Sequence, residues 1–145
     1  MESIVIPDLG TFTLKDGCYT CPKTFFDRLS IDVRVYPRGE SEPSDDWKAA
    51  RSREFALFSK KFAVELKRLP DMVRKMCREY DMYEGIDIPW TDDELINGFE
   101  WYDIKLNGDG TIECCVEPTQ SPINNFSVLF GFNKNMTLEY AHFDG

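Results

Sequence analysis

The chain has 145 residues, with 26 acidic and 17 basic side chains, a single histidine and a formal net charge of −9. That length fits one domain able to bury a core without disulfides or metal. The charge argues against a general nucleic-acid binder, which needs clustered Lys and Arg, and against docking to an anionic membrane; it suits a basic protein partner, or simple solubility.

The opening MESIVIPDLG lacks the basic and apolar regions of a signal peptide. No apolar run approaches the roughly 18 residues that a membrane-crossing helix needs. The expectation is a cytoplasmic protein whose five cysteines, Cys18, Cys21, Cys77, Cys114 and Cys115, stay reduced.

Residues 1–36 read as β. Residues 10–14 make a short strand, Asp16-Gly17 a turn, and residues 18–26 a second strand that Pro22 pushes toward an edge. Leu29, Ile31, Val33 and Val35 alternate with polar neighbours, as in a half-buried strand. Residues 37–43 form a loop. The middle reads as helix. Ser44 is an N-cap followed by Asp45 and Asp46, which favour the positive end of the helix dipole. Trp47, Ala50, Phe55, Phe58, Phe62, Leu66 and Leu69 form a helical stripe that Pro70 stops or kinks. Val73, Met76, Cys77, Tyr80 and Tyr83 continue it, with Gly85 as a stop. This predicts two packed helices, or one long kinked helix, over a sheet. Thr91 and Glu94 form a capping box for a short third helix ending at Gly98.

The last third is β again. Tyr102, Ile104 and Leu106 lead into a turn at residues 107–110, with Ile112, Cys114 and Val116 leading out. Phe126, Val128, Phe130 and Phe132 form an apolar face. A turn at Asn133-Lys134-Asn135 follows, then Leu138, Tyr140 and His142 as the matching face of the final strand.

Few motifs carry chemistry. The segment from Asn107 to Glu113 resembles the middle of an EF-hand loop. Aligned on Gly110, however, the positions that need acidic ligands fall on Lys105 and Val116, so a hairpin turn is the better reading. Cys18 and Cys21, three apart in a strand, point to opposite faces, which spoils chelation. His142 falls on an apolar phase and reads as a packed residue. The reading therefore assigns no catalytic residue, metal or cofactor. Glu100 and Asp103 flank Trp101 and Tyr102, an acid–aromatic cluster able to line a cleft.

Charge is uneven along the chain. Residues 1–46 hold 9 acids and 5 bases, residues 47–84 hold 6 and 10, and residues 85–145 hold 11 and 2. A basic helical layer, net +4, thus stands beside a strongly acidic C-terminal region, net −9.

The opening Leu9-Gly10-Thr11-Phe12, the helical middle, the strand pair turning at Gly108 to Gly110, and the close Leu129-Phe130-Gly131 ending in Asp144-Gly145 resemble a bacterial family of small domains. Some members are encoded near polymorphic toxins as immunity-type proteins. The resemblance implies a binder without assigned chemistry. A histidine often follows the late glycine in that family; Phe132 stands there in this chain, so no role for it transfers.

The expectation is one α+β domain over residues 1–145. An antiparallel sheet from both ends of the chain would pack against a central helical pair. The leading function is non-catalytic: binding and blocking a basic macromolecular partner, as an immunity-type or phage-type inhibitor of a nuclease or another nucleic-acid-binding protein. The partner-binding residues would be Glu100, Trp101, Tyr102, Asp103, Asp109, Glu113 and Glu117. A small-ligand domain or enzyme using the acidic, aromatic cleft is one alternative, and would show a pocket with convergent polar groups. A structural subunit of a larger assembly is another, and would show a large exposed apolar patch.

Overall fold

The computed structural model describes residues 2–25, 29–37, 43–80, 89–119 and 127–144. Most of the loop expected over residues 37–43, the helix end expected at Tyr83 and Gly85, and Phe126 lie outside them. In chain order the elements are β1 (Ser3–Ile6), β2 (Gly10–Lys15), β3 (Cys18–Phe25), β4 (Leu29–Val35), α1 (Asp45–Glu65), a 3₁₀ turn (Leu66–Arg68), α2 (Leu69–Glu79), α3 (Asp92–Asn97), β5 (Phe99–Leu106), β6 (Ile112–Pro118), β7 (Ser127–Phe132) and β8 (Leu138–Asp144).

All eight strands lie in one sheet, in sequence order. Neighbours are antiparallel except β4 and β5, which pair in parallel from Asp32↔Asp103 to Val35↔Leu106. The α+β class is correct, but the sheet is mixed rather than antiparallel. The helices also differ from the expected central pair. Asp45 to Glu79 is one nearly continuous run, interrupted only by the 3₁₀ turn, through which Glu65, Leu66 and Leu69 all keep right-handed helical dihedrals. Pro70 sits in the first turn of α2, where its missing N–H costs little.

Local chemistry sets the element ends. Ser44 caps α1 by accepting from the Trp47 N–H at 3.1 Å. Thr91 and Glu94 close a reciprocal capping box on α3. Asp16 and Gly17 both take positive φ (53° and 84°), as the two-residue turn between Lys15 and Cys18 requires. Asn133 Oδ1 accepts from the N–H groups of Asn135 and Thr137 to form the β7–β8 turn. Pro22 is locally an edge residue: it pairs with Asp32 of β4, beyond the point where the β2–β3 ladder ends at Thr20.

The helical run covers one face of the sheet. Phe55, Phe58 and Phe62 of α1 and Leu69, Val73 and Met76 of α2 meet Phe12, Tyr19, Val33, Ile104, Cys114 and Phe130 from the strands in one core. Phe58 packs edge-on against Phe132, with ring centroids 5.0 Å apart.

Two bulges set which side chains reach that core. In β5 the register jumps between Trp101 and Asp103, leaving Tyr102 as the extra residue. Phe99 and Trp101 point inward before it and Ile104 and Leu106 after it, so Tyr102 does not share the face of Ile104 as the sequence suggested. In β8, Gly131 pairs with Tyr140 and Phe132 with Leu138, leaving Glu139 extra. Leu138 packs inward, and after the bulge Ala141 and Phe143 do. Tyr140 and His142 turn to the other side, which splits the expected Leu138–Tyr140–His142 face.

Charged residues also enter the helix–sheet interface. Glu65, 7% exposed, accepts from the Leu138 N–H at 2.7 Å and from Arg68 at 3.2 Å. It thus supplies an acceptor to a backbone donor beside the β8 bulge. Arg51 is buried, forks onto Glu54 and donates to the Gly108 carbonyl at 3.3 Å. Lys61 donates to the Asn135 carbonyl and the Thr137 hydroxyl. Arg74 ties α2 to the start of α3 through the Trp90 carbonyl and Asp92.

Replacing Glu65 with Ala leaves the Leu138 N–H buried without an acceptor, and a loss of about 2 kcal/mol is expected in urea unfolding. Glu65→Gln keeps the acceptor and should cost less than half as much. Equal losses for the two variants would show that the bond to Leu138 is not what stabilises the bulge.

Candidate functional site

The face of the sheet turned away from the helices gathers polar side chains from β4, β5, β6 and β7. A groove of about 380 Å³ is lined by Asp32, Arg34, Tyr102, Asp103, Cys115, Glu117 and Ser127. Arg34 Nε lies 3.0 Å from Asp103 Oδ1, an ion pair across the parallel seam. Cys115 stands opposite Asp103 in the β5–β6 ladder. Lys105 lies nearby; burial works to lower its ammonium, but Cys115, Tyr36 and Asp103 outweigh that and raise it.

At one end of the groove Glu100 and Glu117 stand directly opposite each other on β5 and β6. Two like charges in that position repel. The bulged residue Tyr102, 45% exposed, places its hydroxyl between them, donating to Glu100 Oε2 at 2.8 Å with Glu117 Oε2 at 3.4 Å. The hydrogen bond to Glu100, with the charges of both carboxylates, pushes the phenol up to about 12.

At the other end Glu113 accepts from the Tyr140 hydroxyl at 2.9 Å and from Asn107 Nδ2 at 3.3 Å. Burial, then Glu113, raises the Tyr140 phenol. Tyr140 lies flat against the sheet because residue 131 is glycine: a Cβ there would stand 2.0 Å from the ring. His142 stacks on Tyr140, with centroids 5.0 Å apart and planes 10° apart.

The structure therefore brings together Glu100, Tyr102, Asp103, Glu113 and Glu117 on one face. Trp101 belongs elsewhere. The alternation of β5 turns it inward, where it packs against Phe62 at 5.3 Å and Phe130 at 5.6 Å. Asp109 sits in the β5–β6 turn and accepts from the Thr111 N–H and hydroxyl at 2.9 and 2.6 Å, a turn-forming role. Asp32, Arg34, Cys115 and Ser127 were not singled out from the sequence. The alternation in residues 29–35 already placed Asp32 and Arg34 on a polar face; only the parallel pairing puts them beside Asp103.

Cys21 lies in the core, whereas Cys18 bonds toward the Lys15 carbonyl and the Thr20 hydroxyl. Burial pushes the Cys77 thiol up to about 11 and also raises that of Cys114. Among the described residues no group of three His, Cys, Asp or Glu side chains is placed to hold a metal ion. Comparison with protein-family models, curated proteins and solved structures gives no match.

Two expectations test this geometry. Tyr102 has a folded-state pKa above its ordinary value of 10.0. The stability its proton contributes is complete below pH 10 and is lost as pH rises through about 12. Urea midpoints of the natural protein should fall more steeply across that window than those of Tyr102→Phe. Tyr19 and Tyr140 titrate in both proteins, so parallel curves would show that Tyr102 holds no special proton. Separately, Gly131→Ala should destabilise by roughly 1–3 kcal/mol through overpacking. Adding Tyr140→Ala should make the Gly131 change nearly neutral, and a full penalty in that background would place the clash elsewhere.

Proposed function

We propose that the outer sheet face is the recognition surface of a cytoplasmic, non-catalytic protein that binds and blocks a basic macromolecular partner. The observation that carries this reading is the grouping of Asp32, Glu100, Asp103, Glu113 and Glu117 on the face opposite the helical layer, with Arg34 and Lys105 as its nearby cations. No described element packs over this face. Tyr102 adds an exposed aromatic ring at its edge, the kind of residue that anchors protein interfaces.

Charge complementarity of this kind speeds association and fixes orientation more than it adds affinity. A nuclease or nucleic-acid-binding protein presents a cationic cleft that such a face complements. Among the described residues no helix is long and apolar enough to cross a membrane.

The test replaces Asp103, Glu113 and Glu117 with Lys and compares capture of a basic partner from the native host across a salt series. The natural protein should lose its partner as salt rises, and the variant should capture it weakly with a flattened salt dependence. Unchanged capture and salt dependence, with circular dichroism showing an intact fold, would sink the proposal.

A further inference from the structure

Seven of the helical run's ten cations fall into two groups; of the others, Lys75 lies 4.0 Å from Glu79 and Lys48 is half-buried in the first turn of α1. Arg51, Lys61, Arg68 and Arg74 are engaged with turn carbonyls, hydroxyls or carboxylates. Arg53, Lys60 and Lys67 make no hydrogen bond or ion pair among the described residues, and all three are exposed. They stand seven residues apart on the side of α1 and the following turn that faces away from Phe55, Phe58 and Phe62.

Between them lie Ala56, Leu57, Ala63 and Val64, also exposed; Leu57 is 38% and Val64 61% accessible. Positions 53, 56, 57, 60, 63, 64 and 67 recur at three and four residues, so they form one stripe along the helix. The cations run along the middle of the stripe, with Ala56 and Ala63 on one flank and Leu57 and Val64 on the other. Ala56 and Ala63 allow close approach, and Leu57 and Val64 supply apolar knobs.

The helix offers no counter-charge to Arg53 and Lys60, because their neighbours three and four residues away within the stripe are Ala, Leu and Val. Asp71, four beyond Lys67, lies 3.7 Å from Arg74 instead. A face that served only solubility would intersperse acids with bases. A phosphate-binding face would not set Leu and Val among its cations. Three cations with such small apolar residues are too little to seat a membrane-surface helix. A second copy using the same stripe would oppose cation to cation.

We propose that this stripe docks an amphipathic helix of a partner protein whose acidic residues recur every seven positions. Each would meet Arg53, Lys60 or Lys67, while its apolar residues pack over Ala56, Leu57, Ala63 and Val64. The surface lies on the opposite side of the molecule from the acidic sheet face, and the two inferences stand or fall separately.

The probe is a fluorescent three-heptad peptide with Glu at its a positions and Leu at its d and e positions, read by anisotropy against the intact protein. It should bind, and Lys60→Glu with Lys67→Glu should weaken it by at least about tenfold. A matching peptide with Lys in place of Glu should bind the charge-reversed protein better than it binds the natural one. Lys60→Gln, a milder surface change, should give an intermediate loss. Absence of peptide binding, or binding indifferent to the charge reversal, would overturn the proposal. So would preferential binding of phosphatidylserine vesicles or single-stranded RNA in place of the peptide.

Discussion

β4 and β5 run parallel as neighbours, and a parallel pair cannot be closed by a tight turn. The chain has to leave the sheet after Val35, cross one face and return at Phe99. The crossing carries the helical run, which fixes which face is buried. It also creates the other face as a consequence. Asp32 and Asp103 become neighbours only because the seam is parallel, and Arg34 then lies where it can pair with Asp103.

The helical run is attached by more than its aromatic stripe. Arg51, Lys61 and Glu65 each reach a backbone group in or beside a hairpin of the C-terminal half: Gly108, Asn135 and Leu138. Turn carbonyls that would otherwise compete for water gain cationic donors, and a bulged strand gains an anionic acceptor. Part of the helical layer's positive charge is therefore internal wiring. That leaves the exposed Arg53, Lys60 and Lys67 as a distinct set, seven residues apart along one line of the helix.

Features that rest on neighbouring residues were legible in the sequence. Asp16-Gly17, the turn at residues 107–110 and Asn133 to Asn135 all make turns where their chemistry requires. Ser44 and the Thr91–Glu94 box start helices. The alternation from Ile31 to Val35 is as read. Features that rest on distant partners were not legible. No local signal announces a parallel pair. The bulges at Tyr102 and Glu139 each add one residue to a pattern of period two, which looks like continued alternation until the register is known. Adjacency in the sequence groups Trp101 with its acidic neighbours, although the strand turns it to the opposite face, against Phe62 and Phe130. Arg51 and Glu65 lie on the phase of the buried stripe, but their charge hid them from a search for apolar residues.

The sequential strand order has a kinetic consequence. Each of the two four-stranded meanders, β1 to β4 and β5 to β8, can assemble from contacts close in the chain. Joining them closes a loop of about 60 residues, a cost that rises only with the logarithm of loop length but must be met before the seam contributes anything. A helix formed within that loop would shorten its effective span. The topology thus divides into two local assemblies and one long-range closure. The β4–β5 seam is the place where the molecule becomes a single cooperative unit.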